Sequence, residues 1–170
     1  LHDALPIFKR WVIGSIISRT YYHNMVTHLL EAAYQREVYK KVDNGESLTA
    51  PVLNKLMRNV YEQFFGDAVE LTDGMELTWM RQPHYYMGLY SYTYSAGLTI
   101  GTVVSQKIKK EGQKAVDAWL ETLKAGGSKN PVELAKVAGV DITTNAPLKS
   151  TIAYISELVD EVETLTNEIG

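Results

Sequence analysis

The first place in this chain where residue types could do chemistry is a histidine followed closely by a run of tyrosines. The segment His84–Gly97, HYYMGLYSYTYSAG, places five of the chain's eleven tyrosines within ten residues. A histidine and phenols converging on one point can donate hydrogen bonds to a developing oxyanion or grip a peptide carbonyl. The plainer reading is that His84 caps a helix and the phenols fill a core, with their hydroxyls satisfied by backbone.

Which hydroxyls can converge depends on the element that carries them. Tyr90–Ser95 alternates with period two and is built of residue types that favour strands. A lone strand would leave its ladder groups unpaired, however, and no partner strand is legible. The run also continues through Ala96–Lys110 without turn residues, so a helix is expected. At about 100° per residue, Tyr86, Tyr90 and Tyr94 then share a face that continues into Gly97 and Gly101. Tyr85, Tyr92, Ala96 and Val103 fall on another side. Gly97 and Gly101 leave a groove without side chains, where a backbone or ligand could approach; close helix packing is the plainer use of them. His84 stands at the entrance, preceded by Arg81-Gln82-Pro83.

Elsewhere the chemical motifs are sparse. There is no HExxH, P-loop or GxGxxG, and Gly126-Gly-Ser-Lys-Asn130 lacks the final glycine of a nucleophile elbow. His23 and His28 are five residues apart, about 140° around an α-helix, which argues against a shared metal ion. His28 and Glu31, three apart, can share a face.

The elements around these residues read as helical. From Phe8 to about Val42, apolar residues recur at helical spacing, giving one long helix or two in series that end at Asp43-Asn44-Gly45. A second helix opens at Thr49 with Pro51 in its first turn and stops at Gly66. Residues 66–84 read as a long ordered loop, a feature more often functional than idle. Gln113–Lys124 forms a helix ended by Gly126-Gly127, and Asn130-Pro131 starts a short one. The last helix begins near Ala146-Pro147 and carries an amphipathic stripe of Leu148, Ile152, Ile155, Val159, Val162, Leu165 and Ile169. The fold class is all-α.

Composition narrows the function. At 170 residues and 45% hydrophobic content the chain can build one globular core. A net charge of −3 argues against nucleic acid as a partner, and the apolar runs are too short to span a membrane. The absence of cysteine removes disulfides and thiolate chemistry and fits a cytoplasmic setting. LHDALPI, residues 1–7, matches no element. One encoding of it, CTA CAC GAC GCT CTT CCG ATC, resembles the end of a common sequencing adapter. Residues 1–7 are therefore expected to be an assembly artefact, with residues 8–170 the protein proper.

The segment ELTWMRQPHYYMGLYSYTYSAG resembles the tryptophan-arginine-proline-histidine stretch, followed by alternating tyrosines and a glycine, of the oligoendopeptidase F-like zinc metallopeptidases in the thimet oligopeptidase clan. RTYYHNMVTHLLEAAYQREVY and VDNGESLTAPVLNKLMRNVYEQFFGDAVEL are similar to the helices before that stretch, and WLETLKAGGSKNPVELAKVAGVDIT to those after it. The resemblance covers almost the whole chain from Phe8. It implies an all-helical peptidase with its site in a deep channel, cutting short peptides. It implies zinc held by the histidines of an HExxH helix and a later glutamate, with the HExxH glutamate as general base. None of those ligands is found in this chain, which would then be the C-terminal part of a catalytic domain whose N-terminal part lies before Phe8. By the same resemblance His84 is a substrate-binding histidine and the tyrosines include the oxyanion donors. The face argument favours Tyr90 and Tyr94 as catalytic, with Tyr86, Tyr92 and Gly97 beside His84 as substrate-binding residues. The chain departs from the family pattern at His28 and Tyr34-Gln35.

Two functions follow. The first is a fragment of a zinc oligoendopeptidase, inactive alone. The second is a stand-alone helical module that binds a peptide or partner helix in the tyrosine–glycine groove without catalysis.

Overall fold

The computed structural model describes residues 4–169, so part of the segment expected to be an artefact, residues 1–3, lies outside the described residues. Every regular element among the described residues is helical, and no strand forms. The all-α expectation holds. No helix among them is long and apolar enough to cross a membrane.

The chain opens with a continuous helical path that changes character in its middle. Helix α1 (Ala4–Ser15) runs into a π-helical segment, Ile16–Thr27, and then into α2 (His28–Asp43). Asn44 caps α2, and Gly45 turns the chain with a φ of 76°. The π register bonds each residue to one five positions away, so residues five apart stand one above the other.

The described residues form two compact units, one comprising the chain up to Tyr22 and from Ala96 onward, the other His23–Ser95. In the first unit α1 packs along α7 (Ala146–Ile169). Arg10 Nε donates to Thr166 Oγ1 at 2.9 Å, and Lys9 pairs with Glu161. Small residues make the core beside α4 (Tyr92–Glu111): Val104 meets Ala135 of α6 (Pro131–Val137) together with Ala138 and Val140. Trp119 of α5 (Gln113–Ala125) covers them. Helix α6 starts where its sequence says it should. Asn130 Oδ1 accepts from the Glu133 amide at 3.0 Å while the Glu133 carboxylate accepts from the Asn130 amide, a reciprocal cap behind Pro131.

Helix α7 buries a different face from the one its apolar pattern marks. Pro147, Thr151, Leu158 and Leu165 are buried, whereas Leu148, Ile152, Val159 and Ile169 of the stripe are exposed. Leu165 alone of that stripe is buried. Thr151 Oγ1 donates to the Thr99 carbonyl at 3.5 Å, so a polar residue occupies the inner face.

In the second unit α2 lies against α3 (Ala50–Phe65), which begins after Thr49 and ends at Gly66 with a φ of 51°, as its proline and glycine require. Leu30 and Tyr34 of α2 and Met57 and Val60 of α3 are the buried centre, spaced three and four apart on each helix. Residues 66–84 are ordered as short 3₁₀ turns, and Met75–Arg81 is bonded to α3. Trp79 Nε1 donates to Asn54 Oδ1 at 2.8 Å, Tyr61 and Thr78 share a hydroxyl bond of 2.7 Å, and Arg58 donates to the Leu71 carbonyl at 3.2 Å. These bonds fix the approach to His84.

Tyr85 packs against Tyr34 in this core, ring centroids 5.3 Å apart, and its hydroxyl is buried without a hydrogen-bond partner. Burial raises the pKa of both phenols, with Glu31 and Tyr34 adding to the effect at Tyr85. The folded chain therefore keeps protons that an unfolded chain releases near about pH 10. Their share of stability is complete below that pH and is lost as the pH rises beyond it. Tyr85→Phe removes the unsatisfied hydroxyl and should stabilise the chain by about 1 kcal/mol in urea unfolding, with a shallower decline above about pH 10. A destabilisation of that size would instead mean that the hydroxyl is partnered.

Candidate functional site

The tyrosine run is not one helix. Pro83–Tyr86 is a 3₁₀ turn, Gly88 adopts a φ of 67°, and α4 begins only at Tyr92. The break at Gly88 is where a residue with a Cβ would be strained. Gln35 of α2 holds that turn, its Nε2 donating to the Gly88 carbonyl at 2.7 Å.

The predicted single face is therefore corrected. His84, Tyr90 and Tyr94 converge, but Tyr86 is 87% exposed and points away from any core. Tyr94 Oη lies 3.1 Å from His84 Nε2, the rings of His84 and Tyr90 stack at 5.2 Å, and Tyr90 meets Tyr94 edge-on at 5.6 Å. Tyr92 is exposed at the rim of an open depression of about 610 Å³ that also includes Leu29, Tyr39 and Leu89. That depression holds none of the convergent groups. Gly97 is exposed, and a Cβ built on it or on Gly101 would meet nothing within 4 Å, so no backbone occupies the expected groove among the described residues.

Burial raises the pKa of the Tyr94 hydroxyl, with Tyr90 and then Glu31 adding to it. Its proton is thus retained at least to the ordinary phenol range of about 10, the state in which a phenol can donate. His84 Nδ1 is buried without a partner. With its hydrogen on Nε2, His84 donates to Tyr94 Oη, Nδ1 carries no unsatisfied hydrogen, and the Tyr94 hydrogen is free to point elsewhere.

Behind this pair lies a second layer that the sequence showed only in part. His28 is 2% exposed, and its ring is stacked on that of Tyr94 at 3.9 Å and 12°. His28 Nδ1 is 2.7 Å from Glu31 Oε2, as the three-residue spacing anticipated. The other histidine geometry is corrected. His23 and His28 are brought together, Nε2 to Nε2 at 3.1 Å, because the intervening turn is π-helical and not α-helical. Glu31 also accepts from Gln82 and from Ser91 Oγ, the latter at 3.2 Å. Gln82 and Ser91 were not singled out from sequence. The proximity of Gln82 to His84 and of Ser91 to Tyr94 was the available signal.

His28, Glu31 and His84 each offer one atom within 4.8 Å of the others, the one such group of possible metal ligands among the described residues. Through His28 Nδ1 and Glu31 Oε2 they do not fit a zinc ion. Ligand atoms on tetrahedral zinc lie roughly 3.3 Å apart, whereas His28 and Glu31 are at hydrogen-bond distance, 2.7 Å. The Glu31 carboxylate is further occupied by Gln82 and Ser91. The cluster is a hydrogen-bonded scaffold, not a first coordination shell.

Residues 13–154 match the family described as Peptidase family M3. Oligopeptidase PepF of Bacillus subtilis (strain 168) is 33% identical over 138 residues, 81% of this chain and 21% of its own length. An oligoendopeptidase F homolog of Borreliella burgdorferi is 26% identical over 132 residues, 78% of this chain and 22% of its own. The crystal structure of oligoendopeptidase-F from Enterococcus faecium superposes with a TM-score of 0.89 at 26% identity, over 96% of this chain and 31% of that one. The chain spans about a fifth of the length of the curated relatives it matches.

Proposed function

This chain belongs to peptidase family M3, and from that membership we propose that it is part of a zinc metallo-oligoendopeptidase that hydrolyses peptide bonds in short oligopeptides. The observation that carries the reading is the convergence of His84, Tyr90 and Tyr94 at hydrogen-bonding and stacking distance. Zinc in such an enzyme would be held by an HExxH helix and a glutamate that this chain does not contain.

The roles of the chain's own residues follow from their donors. His84 orients the substrate's backbone and fixes Tyr94 through the shared 3.1 Å bond. Tyr94 and Tyr90 keep phenolic hydrogens aimed at the carbonyl oxygen as it gains charge, and they are the catalytic residues of this reading. Tyr86, Tyr92 and Gly97, all exposed, contact the flanks of the peptide. A peptide is the fitting substrate because its carbonyls are the acceptors these donors match.

The second partner is the rest of the same catalytic domain. Phe8 and Trp11 of α1 and Ile152 and Val159 of α7 are exposed, an apolar surface that favours being covered. Residues 1–7 are an assembly artefact in this reading, and the setting is cytoplasmic, in keeping with a chain without cysteine. The test is an assay of the full-length protein that carries this chain. Chelator-sensitive cleavage of a quenched short peptide, with folded proteins spared, is expected; cleavage unaffected by chelator would refute the zinc assignment.

A further inference from the structure

One carboxylate ties together three groups that lie around His84 and Tyr94. Glu31, with a side chain 12% exposed, accepts from His28 Nδ1 at 2.7 Å, from Ser91 Oγ at 3.2 Å and from Gln82 Nε2. Gln82 lies two residues before His84, and Ser91 lies between Tyr90 and Tyr94 and is 0% exposed. The two chain points that bracket His84 and Tyr90 are thus fastened to the same group on α2. The third donor, His28, is the plate on which the Tyr94 ring rests, 3.9 Å away and within 12° of parallel. Its other edge faces the His84 ring at 5.3 Å.

One tautomer satisfies both edges of the His28 ring. With Nδ1–H donating to Glu31, a neutral His28 presents Nε2 as an acceptor, and His23 Nε2–H fills it at 3.1 Å. The ring cannot rotate without breaking both bonds, so the plate behind Tyr94 is held in one orientation. A mostly buried carboxylate is costly unless its acceptor sites are filled, and every donor recorded on Glu31 lies beside or behind His84 and Tyr94.

We propose that Glu31 is a positioning residue that acts through His28, Gln82 and Ser91 to hold His84 and Tyr94 in register for the peptide carbonyl. The inference rests on the peptidase reading for its kinetic consequence, but not for its geometry. Glu31→Gln keeps the size and one carbonyl acceptor, and it turns the other oxygen into a donor that faces existing donors.

In the full-length peptidase, Glu31→Gln is expected to lower kcat about 10- to 100-fold with KM changed by less than about threefold, zinc content and circular dichroism being unaltered. In a Tyr94→Phe background the same substitution should remove little more, because both act on one unit. Additive losses, or an unchanged kcat, would overturn the proposal. A crystal structure of the variant gives a readout that is independent of turnover. The His84–Tyr94 bond, 3.1 Å here, should open beyond hydrogen-bonding reach, and its persistence at this length refutes the proposal even if activity falls. If Tyr94→Phe itself leaves turnover intact, the oxyanion assignment fails, and Glu31 is then judged on the crystallographic result alone. Should Glu31→Gln not fold, Gln82→Met removes one donor at a half-exposed position. It should displace His84 and lower kcat about three- to tenfold, and an unmoved His84 counts equally against the proposal.

Discussion

Tyr94→Phe in the full-length peptidase is expected to lower kcat about 10²–10³-fold, with KM within about threefold of its original value. The substitution deletes one hydroxyl, and with it the 3.1 Å bond to His84, while the ring stays stacked on His28 at 3.9 Å. The loss belongs in kcat because the carbonyl oxygen gains its charge after binding, and a donor aimed at that charge matters most in the transition state. Tyr90 stands 5.6 Å away, ring to ring, and Tyr90→Phe should follow the same pattern. The double variant should lose less than the product of the two, since residues acting as one unit are not additive. Burial holds the Tyr94 proton above the ordinary phenol range, so Tyr94 should impose no alkaline loss of kcat below about pH 10. Unchanged turnover in both single variants would remove these phenols from the mechanism.

The second large effect concerns the chain by itself. Residues 8–170 are expected neither to bind zinc stoichiometrically nor to cleave a quenched peptide, whereas the full-length protein is expected to do both. The physical reason lies in the donor set. Among the described residues, one group, His28, Glu31 and His84, could gather a metal ion, and in it His28 and Glu31 are bonded to each other while Glu31 also accepts from Gln82 and Ser91. On the proposed function, the chain holds the half of a site that donates hydrogen bonds. Robust, chelator-sensitive cleavage by residues 8–170 alone would overturn this division.

The sequence was legible where local chemistry decides the backbone. Thr49, Pro51 and Gly66 bound α3, and Asn130, Pro131 and Glu133 start α6, because caps and φ limits act within a few residues. The pairing of His28 with Glu31 was legible for the same reason. The meeting of His84 with Tyr90 and Tyr94 was anticipated from an unbroken helix that does not exist. The turn at Gly88 brings them together and leaves Tyr86 outside.

What could not be read needed information beyond a local window. A π-helical turn has no distinct hydrophobic period, so α-helical spacing pointed His23 and His28 about 140° apart and argued against their sharing a metal ion. The stripe on α7 marked where apolar surface lies, not whether anything covers it, and Ile152 and Val159 are exposed. Gln82 and Ser91 gain their meaning only from Glu31, which is 51 residues from the first and 60 from the second.

The most direct measurement is a crystal structure of the full-length protein with a phosphinic peptide, whose tetrahedral phosphinyl group stands in for the attacked carbonyl. A phosphinyl oxygen is expected within about 2.5–3.0 Å of the hydroxyl of Tyr94 or Tyr90, with the peptide backbone on His84. An inhibitor bound at zinc with its phosphinyl oxygens more than about 5 Å from both hydroxyls and from His84 would contradict the account.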